Sequence, residues 1–279
     1  MRLLDAHAHY DDERFGSEYE GGYIKALADA KRAGVDIIIN AGATLESSEK
    51  SLKIASLTHE PEELPEGIPE GLPLVFACVG VHPTETQKYP DIGAAVDRVR
   101  CMCEDPLAVA VGEIGLDYHY PDTERDRQRE FFRLQLELAR ELSLPAVVHS
   151  RDATEDTLEI LKDFEGERIM LHCFSGSAEV AREYSRLGFY FSFGGVLTFK
   201  NAKKARLAAA AVPRDRLMLE TDCPYMAPTP HRGEINSSRY LPITADALGE
   251  ALGTDGQDAA ALTFENGLTF YDLCGRIRC

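Results

Sequence analysis

The sequence predicts an α/β fold of the (β/α)8 class, a TIM barrel with a metal site at the C-terminal face of its strands. Short, nearly continuous apolar runs alternate with helical patterns along the 279 residues, as in parallel sheets covered by helices on both faces. Five of these runs lead into a histidine, aspartate or glutamate. Functional residues of such barrels collect at the carboxyl ends of the strands. An open, doubly wound sheet is the alternative, but ligands that follow strands one, four, five, six and eight converge better on a barrel axis.

Eight strands are predicted from the apolar runs. They lie at Leu3–His9, Val35–Asn40, Leu74–Val79, Leu107–Gly112, Pro145–Val148, Arg168–Leu171, Gly188–Phe193 and Arg216–Thr221. Seven helices are predicted to follow them, at Glu20–Ala33, Leu45–Thr58, Ile92–Cys103, Glu124–Leu142, Ala153–Phe164, Ala178–Leu187 and Lys200–Ala211. The fourth helix has the clearest pattern, because its apolar residues form one stripe and its charged residues lie on the other faces.

Two further stretches complete the chain. Residues 242–268 have helical composition, and residues 59–73, which are acidic and rich in proline and glycine, are predicted to form a surface loop away from the site. Barrels of this kind commonly run to ~250 residues as one unit. We therefore expect residues 1–279 to form a single domain.

Composition and charge argue against several classes of protein. No apolar stretch approaches the ~20 residues of a membrane span, and the N-terminus lacks the pattern of a signal peptide. The seven cysteines are scattered without a CxxC pair, which suits neither a disulfide framework nor a zinc ribbon. We therefore expect a cytoplasmic protein with reduced thiols and no membrane partner. The net charge of −17 argues against broad coating of nucleic acid, but not against a nuclease whose bound cations meet the phosphates.

The candidate metal site begins at His7 and His9. Residues i and i+2 of an extended strand point the same way, so both imidazoles should leave one face near the end of the first strand. Alone, His-x-His is as compatible with two solvated surface histidines. Four more strands lead into a metal-capable side chain, namely Glu113, His149, His172 and Asp222. Any one of them could simply close a strand, but five such strand ends together favour a metal site.

Six candidate ligands exceed the three protein ligands of a single catalytic zinc site, so the sequence predicts two divalent metal ions. The expected sets are His7, His9, Glu113 and Asp222 for one ion and Glu113, His149 and His172 for the other, with Glu113 as the bridge. Two cations ~3.5–4 Å apart lower the pKa of a shared water and hold the oxygens of a phosphodiester. Asp222 is expected to orient that water and take its proton. Nitrogen and oxygen ligands suit zinc, manganese or cobalt better than magnesium.

Five motifs resemble the signatures of the TatD family of metal-dependent deoxyribonucleases, which belongs to the amidohydrolase superfamily. They are Asp5–His9 (DAHAH), Gly112–Tyr118 (GEIGLDY), Val148–Ala153 (VHSRDA), His172–Gly176 (HCFSG) and Glu220–Tyr225 (ETDCPY). They occur in the family's order and span nearly the whole chain. The resemblance implies a TIM-barrel metallohydrolase with two metals on the matching positions. It also implies 3′–5′ exonuclease or DNase activity, linked to DNA repair or degradation, on single-stranded DNA or 3′ ends.

The segments expected to meet substrate depart from the family pattern. A usual His-Pro-His is here His82-Pro83-Thr84, and the usual Arg-Gly-Lys is here Arg232-Gly233-Glu234. Arg151 and Arg232 are the expected phosphate partners, because guanidinium groups match phosphate oxygens bidentately. A salt bridge between Arg151 and Asp152 or another neighbour is the alternative. His82 is expected to hold substrate or else to cap a strand. Tyr118 and Phe174 are candidates for base stacking, with simple packing as the alternative.

Two other functions remain open at this point. One is hydrolysis of an amide, lactone or phosphoester on the same fold, although related enzymes often bridge their metals with a modified lysine on the fourth strand, where this chain has Glu113. The other is a metal-dependent scaffold with an inert barrel. The complete ligand set and the proposed base favour an enzyme.

Overall fold

The architecture is a parallel eight-stranded barrel, seen in a computed structural model that describes residues 1–60 and 71–276. The strands pair in chain order from first to eighth. They are β1 Leu3–Ala8, β2 Val35–Ala41, β3 Leu74–Val79, β4 Ala108–Asp117, β5 Ala146–Arg151, β6 Ile169–Leu171, β7 Tyr190–Phe193 and β8 Leu217–Leu219. The predicted fold class is therefore confirmed, and all eight predicted strands are present.

Helices cover the outside of this sheet. They are α1 Arg14–Ser17, α2 Gly22–Arg32, α3 Leu45–His59, α4 Ile92–Met102, α5 Arg125–Leu142, α6 Thr154–Leu161, α7 Ala178–Arg186, α8 Lys203–Ala211, α9 Leu241–Leu252 and α10 Gly256–Phe270. Short 3-10 turns at Pro83–Lys88 and Gly195–Thr198 follow β3 and β7. Among the described helices, none is long and apolar enough to cross a bilayer. Most of the predicted loop at 59–73 lies outside the described residues.

Two apolar cores flank the sheet. The larger one packs the helices against the outer face of the barrel. The smaller one contains at least one side chain from each of the eight strands, which only the barrel interior can bring together, and includes Phe270 and Tyr271 at the end of α10. Because the Tyr271 hydroxyl donates to the Ala6 carbonyl at 2.8 Å, the end of α10 is fixed to β1. The interior is thus filled with side chains, and polar chemistry is confined to the carboxyl ends of the strands.

The ring closes beside the candidate site. The Asp222 amide donates to the His7 carbonyl at 3.0 Å, and the His9 amide donates to the Cys223 carbonyl at 2.7 Å. These two bonds join the end of β1 to the segment that follows β8. Barrel closure therefore places three predicted ligands next to one another.

Candidate metal centre

The six predicted ligands meet in one pocket, and one buried carboxylate divides them into two groups. Glu113 has only 3% of its surface exposed. Its Oε2 atom lies 3.3 Å from His7 Nε2 and 3.5 Å from His9 Nε2. Its Oε1 atom lies 2.8 Å from His149 Nδ1 and 2.7 Å from His172 Nε2. The two oxygens therefore face different pairs of imidazoles.

Asp222 completes the first group. Its Oδ1 atom lies 3.4 Å from His9 Nε2 and 3.9 Å from His7 Nε2, and the two Nε2 atoms are 3.1 Å apart. The His9 Nδ1–H donates to the Ala41 carbonyl at 2.8 Å, which directs Nε2 toward the pocket. Asp222 has a left-handed backbone conformation, with φ of 54°, which is uncommon for a residue other than glycine and recurs at functional sites.

The second group depends on a close approach between β4 and β5. A side chain at Gly115 would place its Cβ 2.0 Å from the His149 carbonyl oxygen, so only glycine allows the two strands to pair here. Gly115 pairs with His149 and Asp117 with Arg151 along this edge. The predicted strand end after Gly112 was therefore wrong, because β4 continues through Glu113 to Asp117. His149 likewise lies within β5 and not after it.

Asp117 orients His149, and sequence reasoning had assigned it no role. Its Oδ2 atom accepts from His149 Nε2 at 3.2 Å, so Nδ1 is directed at Glu113. Metal-bound histidines usually donate their second ring N–H to such a carboxylate. A signal was present in the sequence, since Asp117 lies four residues after Glu113 on one strand and side chains at i and i+4 share a face.

A second buried carboxylate, Asp5, holds the segment that carries Asp222. It accepts hydrogen bonds from the Thr221 amide at 2.9 Å and from the hydroxyls of Thr221 and Ser238, both at 2.6 Å. The Tyr10 hydroxyl donates to Ser238 Oγ at 2.8 Å. This network fixes the residue before Asp222 to β1.

The pocket attracts positive charge. Burial would raise the pKa of Glu113, but the nearby His172, His82 and His7 hold it well below its ordinary value. Burial would lower the pKa of His9, but hydrogen bonding to Asp222 and the charge of Glu113 raise it to about 9. Glu113 and Asp222, whose pKa values are both lowered, are therefore ionised.

The donor chemistry fits divalent metal ions. Imidazole nitrogens and carboxylate oxygens converge within 4.8 Å of one another in three groups, as in zinc and manganese sites. His7 Nδ1 and His172 Nδ1 are buried without a hydrogen-bond partner among the described residues. The ring nitrogens that do converge face carboxylates and other nitrogens, so a cation between them compensates their mutual repulsion.

His82 belongs to this cluster. Its Nε2 atom lies 3.3 Å from Glu113 Oε1, and it forms a possible ligand group with Glu113 and His149. Its Nδ1 atom accepts from the Thr84 amide at 3.2 Å and caps the 3-10 turn that follows β3. His82 thus caps the turn after β3 and not the strand itself, and its contact with substrate stays a prediction.

The two predicted phosphate partners lie outside the ligand cluster. Arg232 is exposed and stacks 3.8 Å over the Phe199 ring. Arg151 is also exposed and lies 5.9 Å from the Tyr120 ring centroid. The alternative salt bridge to Asp152 is not formed among the described residues, where Asp152 instead pairs with His119 Nδ1 at 3.0 Å.

The two aromatic residues considered for base stacking are occupied. Phe174 is buried and packs edge-on against Phe191 at 5.0 Å. The Tyr118 hydroxyl donates to Asp156 at 2.6 Å, and the Arg125 guanidinium covers its ring at 4.4 Å. For Phe174 the structure shows the packing alternative, since β6, β7 and α7 remove the ring from solvent. The six described cysteines are free thiols, and Cys279 lies outside the described residues.

Comparison with known proteins agrees with this geometry. The family model described as "TatD related DNase" matches residues 4–272. This chain belongs to the TatD family. It is 35% identical over 273 residues to the uncharacterized metal-dependent hydrolase YabD of Bacillus subtilis, covering 97% of this chain and 99% of YabD. It is 36% identical over 274 residues to the uncharacterized metal-dependent hydrolase YcfH of Escherichia coli K12, covering 95% and 94% of the two chains.

A solved TatD-family structure has the same fold. The crystal structure of YJJV, a TatD homologue from Escherichia coli K12, superposes with a TM-score of 0.83 at 28% identity and covers 97% of this chain and 98% of that one. The protein is thus a TatD-family metal-dependent hydrolase, and its His, Glu and Asp groups could bind metal.

Proposed function

We propose that this TatD-family hydrolase cleaves phosphodiester bonds of DNA with two divalent metals, acting on single-stranded DNA or 3′ ends. The observation that carries the proposal is the arrangement of Glu113, whose two oxygens face two separate sets of imidazole nitrogens. One carboxylate bridging two cations is the arrangement expected of a two-metal hydrolase. The family model, described as "TatD related DNase", supports DNA as the substrate.

The proposed ligand sets follow the two oxygens of Glu113. His7, His9, Glu113 and Asp222 would hold one metal, and Glu113, His149 and His172 would hold the other. Bound zinc, manganese, cobalt or magnesium would supply activation of water and neutralisation of the phosphate charge. Asp117 keeps His149 in the tautomer that presents Nδ1 to the pocket.

The chain's own residues position the reaction. Asp222 orients the attacking water and accepts its proton, because histidines hold its pKa below the ordinary value against the opposing effect of burial and its side chain remains 17% exposed. His82 contacts the substrate from the side of β3. Arg151 and Arg232 bind phosphate oxygens from the rim, where guanidinium forks match phosphate geometry.

A cleavage assay tests the proposal. The protein is loaded with manganese or zinc and incubated with 3′-labelled single-stranded DNA, with Asp222→Asn as the inactive control. We expect shortening of the DNA by the wild type and a loss of about 10²–10⁴-fold in the variant, the usual contribution of a general base. No shortening, combined with turnover of a lactone, amide or phosphotriester panel, would reject the proposal. A protein that turns over neither substrate class would instead support a binding role.

A further inference from the structure

A cleft opens next to the metal centre, between the segment after β3 and the segment after β4. Its volume is about 180 Å³ and its walls include Thr84 and Gln87 on one side and Tyr120 and Asp122 on the other. We call it the β3–β4 cleft. It is smaller than the ~300–1,000 Å³ sites that enclose drug-sized ligands, so it has room for one ring system and not for a whole nucleotide chain.

The floor of the β3–β4 cleft is fixed by a buried amide. The Gln128 side chain accepts from the Asp117 amide at 2.9 Å and donates to the Pro83 carbonyl at 3.0 Å. Gln128 therefore ties the end of β4 to the turn after β3. The cleft is a fixed feature of the fold, because the Gln128 side chain holds both of its walls.

One imidazole separates this cleft from the metal centre. His82 Nε2 faces Glu113 Oε1 at 3.3 Å, and on the other side of the ring His82 Nδ1 lies 2.8 Å from Thr84 Oγ1, which lines the cleft. A group in the cleft is therefore a close neighbour of a phosphate held at the metals.

The charge of the lining selects an uncharged occupant. Asp122 and Glu124 both line the cleft, and its lining contains no lysine or arginine. A phosphate would be repelled at this position. Thr84, Gln87 and Thr123 supply hydroxyl and amide groups that can hydrogen-bond a polar heterocycle.

An exposed aromatic ring forms one wall. Tyr120 has 54% of its surface exposed, and its ring centroid lies 5.3 Å from that of His119 and 5.9 Å from the Arg151 guanidinium. Exposed aromatic rings beside an arginine are the surfaces on which unpaired bases stack. Tyr120 thus provides an exposed ring on which a base can stack, whereas the ring of Phe174 is buried.

We infer that the β3–β4 cleft binds one base of the DNA substrate, from a nucleotide that adjoins the scissile phosphate, with Tyr120 as the stacking surface. This inference rests on the proposed phosphodiesterase function. It adds a substrate feature that the metal centre would not recognise, since bound metal ions would act on the phosphate and the water. A base that enters the cleft must be unpaired, so the cleft favours single-stranded DNA.

Abasic substrates test the inference. Three single-stranded oligonucleotides are compared with the metal-loaded protein: one intact, and two with a single abasic residue on either side of the scissile bond. We expect the wild type to lose roughly five- to a hundredfold in kcat/KM on one abasic substrate, the usual effect of a lost stacking contact. On intact DNA, the kcat/KM of Tyr120→Leu should fall below the wild-type value by a similar factor. On that abasic substrate, Tyr120→Leu and the wild type should have the same kcat/KM. Tyr120→Phe should behave like wild type. Equal cleavage of all three substrates by the wild type, or an equal loss on all three in Tyr120→Leu, would overturn the inference.

A binding measurement tests whether the cleft binds a base independently of DNA cleavage. An oligonucleotide with 2-aminopurine at the sensitive position is mixed with the metal-loaded protein and followed by stopped flow before cleavage, a clean signal because the chain has no tryptophan. Quenching in the wild type and Tyr120→Phe, but not in Tyr120→Leu, supports base binding even if no DNA is cleaved, a result that would reject only the proposed function. Quenching that persists in Tyr120→Leu, or that is absent from the wild type, overturns the inference.

Discussion

At the scale of single residues, Glu113 is shared by two ligand groups that otherwise consist of different side chains. A ligand can therefore be removed from one group while the other group stays intact. Removing His149 or His172 deletes a nitrogen that faces Oε1 and leaves His7, His9 and Asp222 in place. We therefore predict that His149→Ala and His172→Ala each reduce bound metal from two ions to one per chain, measured by elemental analysis after dialysis. His119→Ala is the matched control, since His119 is exposed and pairs with Asp152. Two ions in either ligand variant would contradict the proposed ligand sets.

A conservative substitution of Asp117 tests its role in orienting His149. Asp117→Asn keeps the size of the side chain but removes the charge that stabilises the Nε2–H tautomer of His149. Loss of such a partner typically weakens metal affinity by about 10–100-fold, and we predict this for one of the two ions, measured by competition with a chelating dye. Asp152→Asn removes the equivalent partner of His119 and should leave affinity unchanged. If both variants behave alike, Asp117 has no positioning role.

The clustering of the six candidate ligands could be predicted from the sequence, because each is a His, Asp or Glu on or next to a recognisable strand. The surroundings of Phe174 and Tyr120 could not be predicted, because they depend on how far each ring is exposed. Phe174 is buried by β7 and α7, and Tyr120 is left open by the width of a cleft between two separate loops. Neither relation is visible in the local residue pattern.

At the scale of elements, Asp5 joins β1 to the segment that follows β8. Asp5→Ala would leave the Thr221 amide and the hydroxyls of Thr221 and Ser238 without their acceptor. Buried groups left unsatisfied cost about 1–3 kcal/mol each, so we predict that the free energy of unfolding falls by at least about 3 kcal/mol, measured by urea denaturation. Asp36→Ala, which removes ion pairs with Arg2 and Lys31 at the surface, should cost less than about 1 kcal/mol. Similar losses of stability in Asp5→Ala and Asp36→Ala would argue against a role of Asp5 in holding β1 to the segment after β8.

The ends of the strands and helices were predicted less well than their presence. β4 extends beyond its apolar run because residues 114–117 pair with 148–151 of β5, and that pairing depends on the partner strand. The helical C-terminal stretch is divided into α9 and α10 at Gly253, whose φ of 71° ends α9 in a left-handed conformation. Composition alone predicted helix there without the break.

The fold of the whole molecule followed from the eightfold repetition of strand and helix, which tolerates errors at any one boundary. The individual bonds that close the ring could not be predicted, because those from Asp222 to His7 and from His9 to Cys223 join the two ends of the sequence. The order in which the predicted ligands occur on strands one, four, five, six and eight nevertheless implied closure, since an open sheet would separate the first strand from the eighth.

Charge acts on the whole molecule as well. With a net charge of −17, the protein repels DNA at a distance, and Arg151 and Arg232 are the phosphate partners proposed outside the metal centre. Each phosphate contact on single-stranded DNA contributes about 0.7 to the slope of log affinity against log salt. We therefore predict that log KM for single-stranded DNA rises with a slope of about 1.4 or less between 50 and 200 mM KCl, and that Arg232→Gln lowers the slope by about 0.7. Arg206→Gln is the control, since Arg206 bonds the Leu197 carbonyl and should leave the slope unchanged. A slope near 4 or above would mean that an extended basic surface binds the DNA, which the charge of this chain argues against.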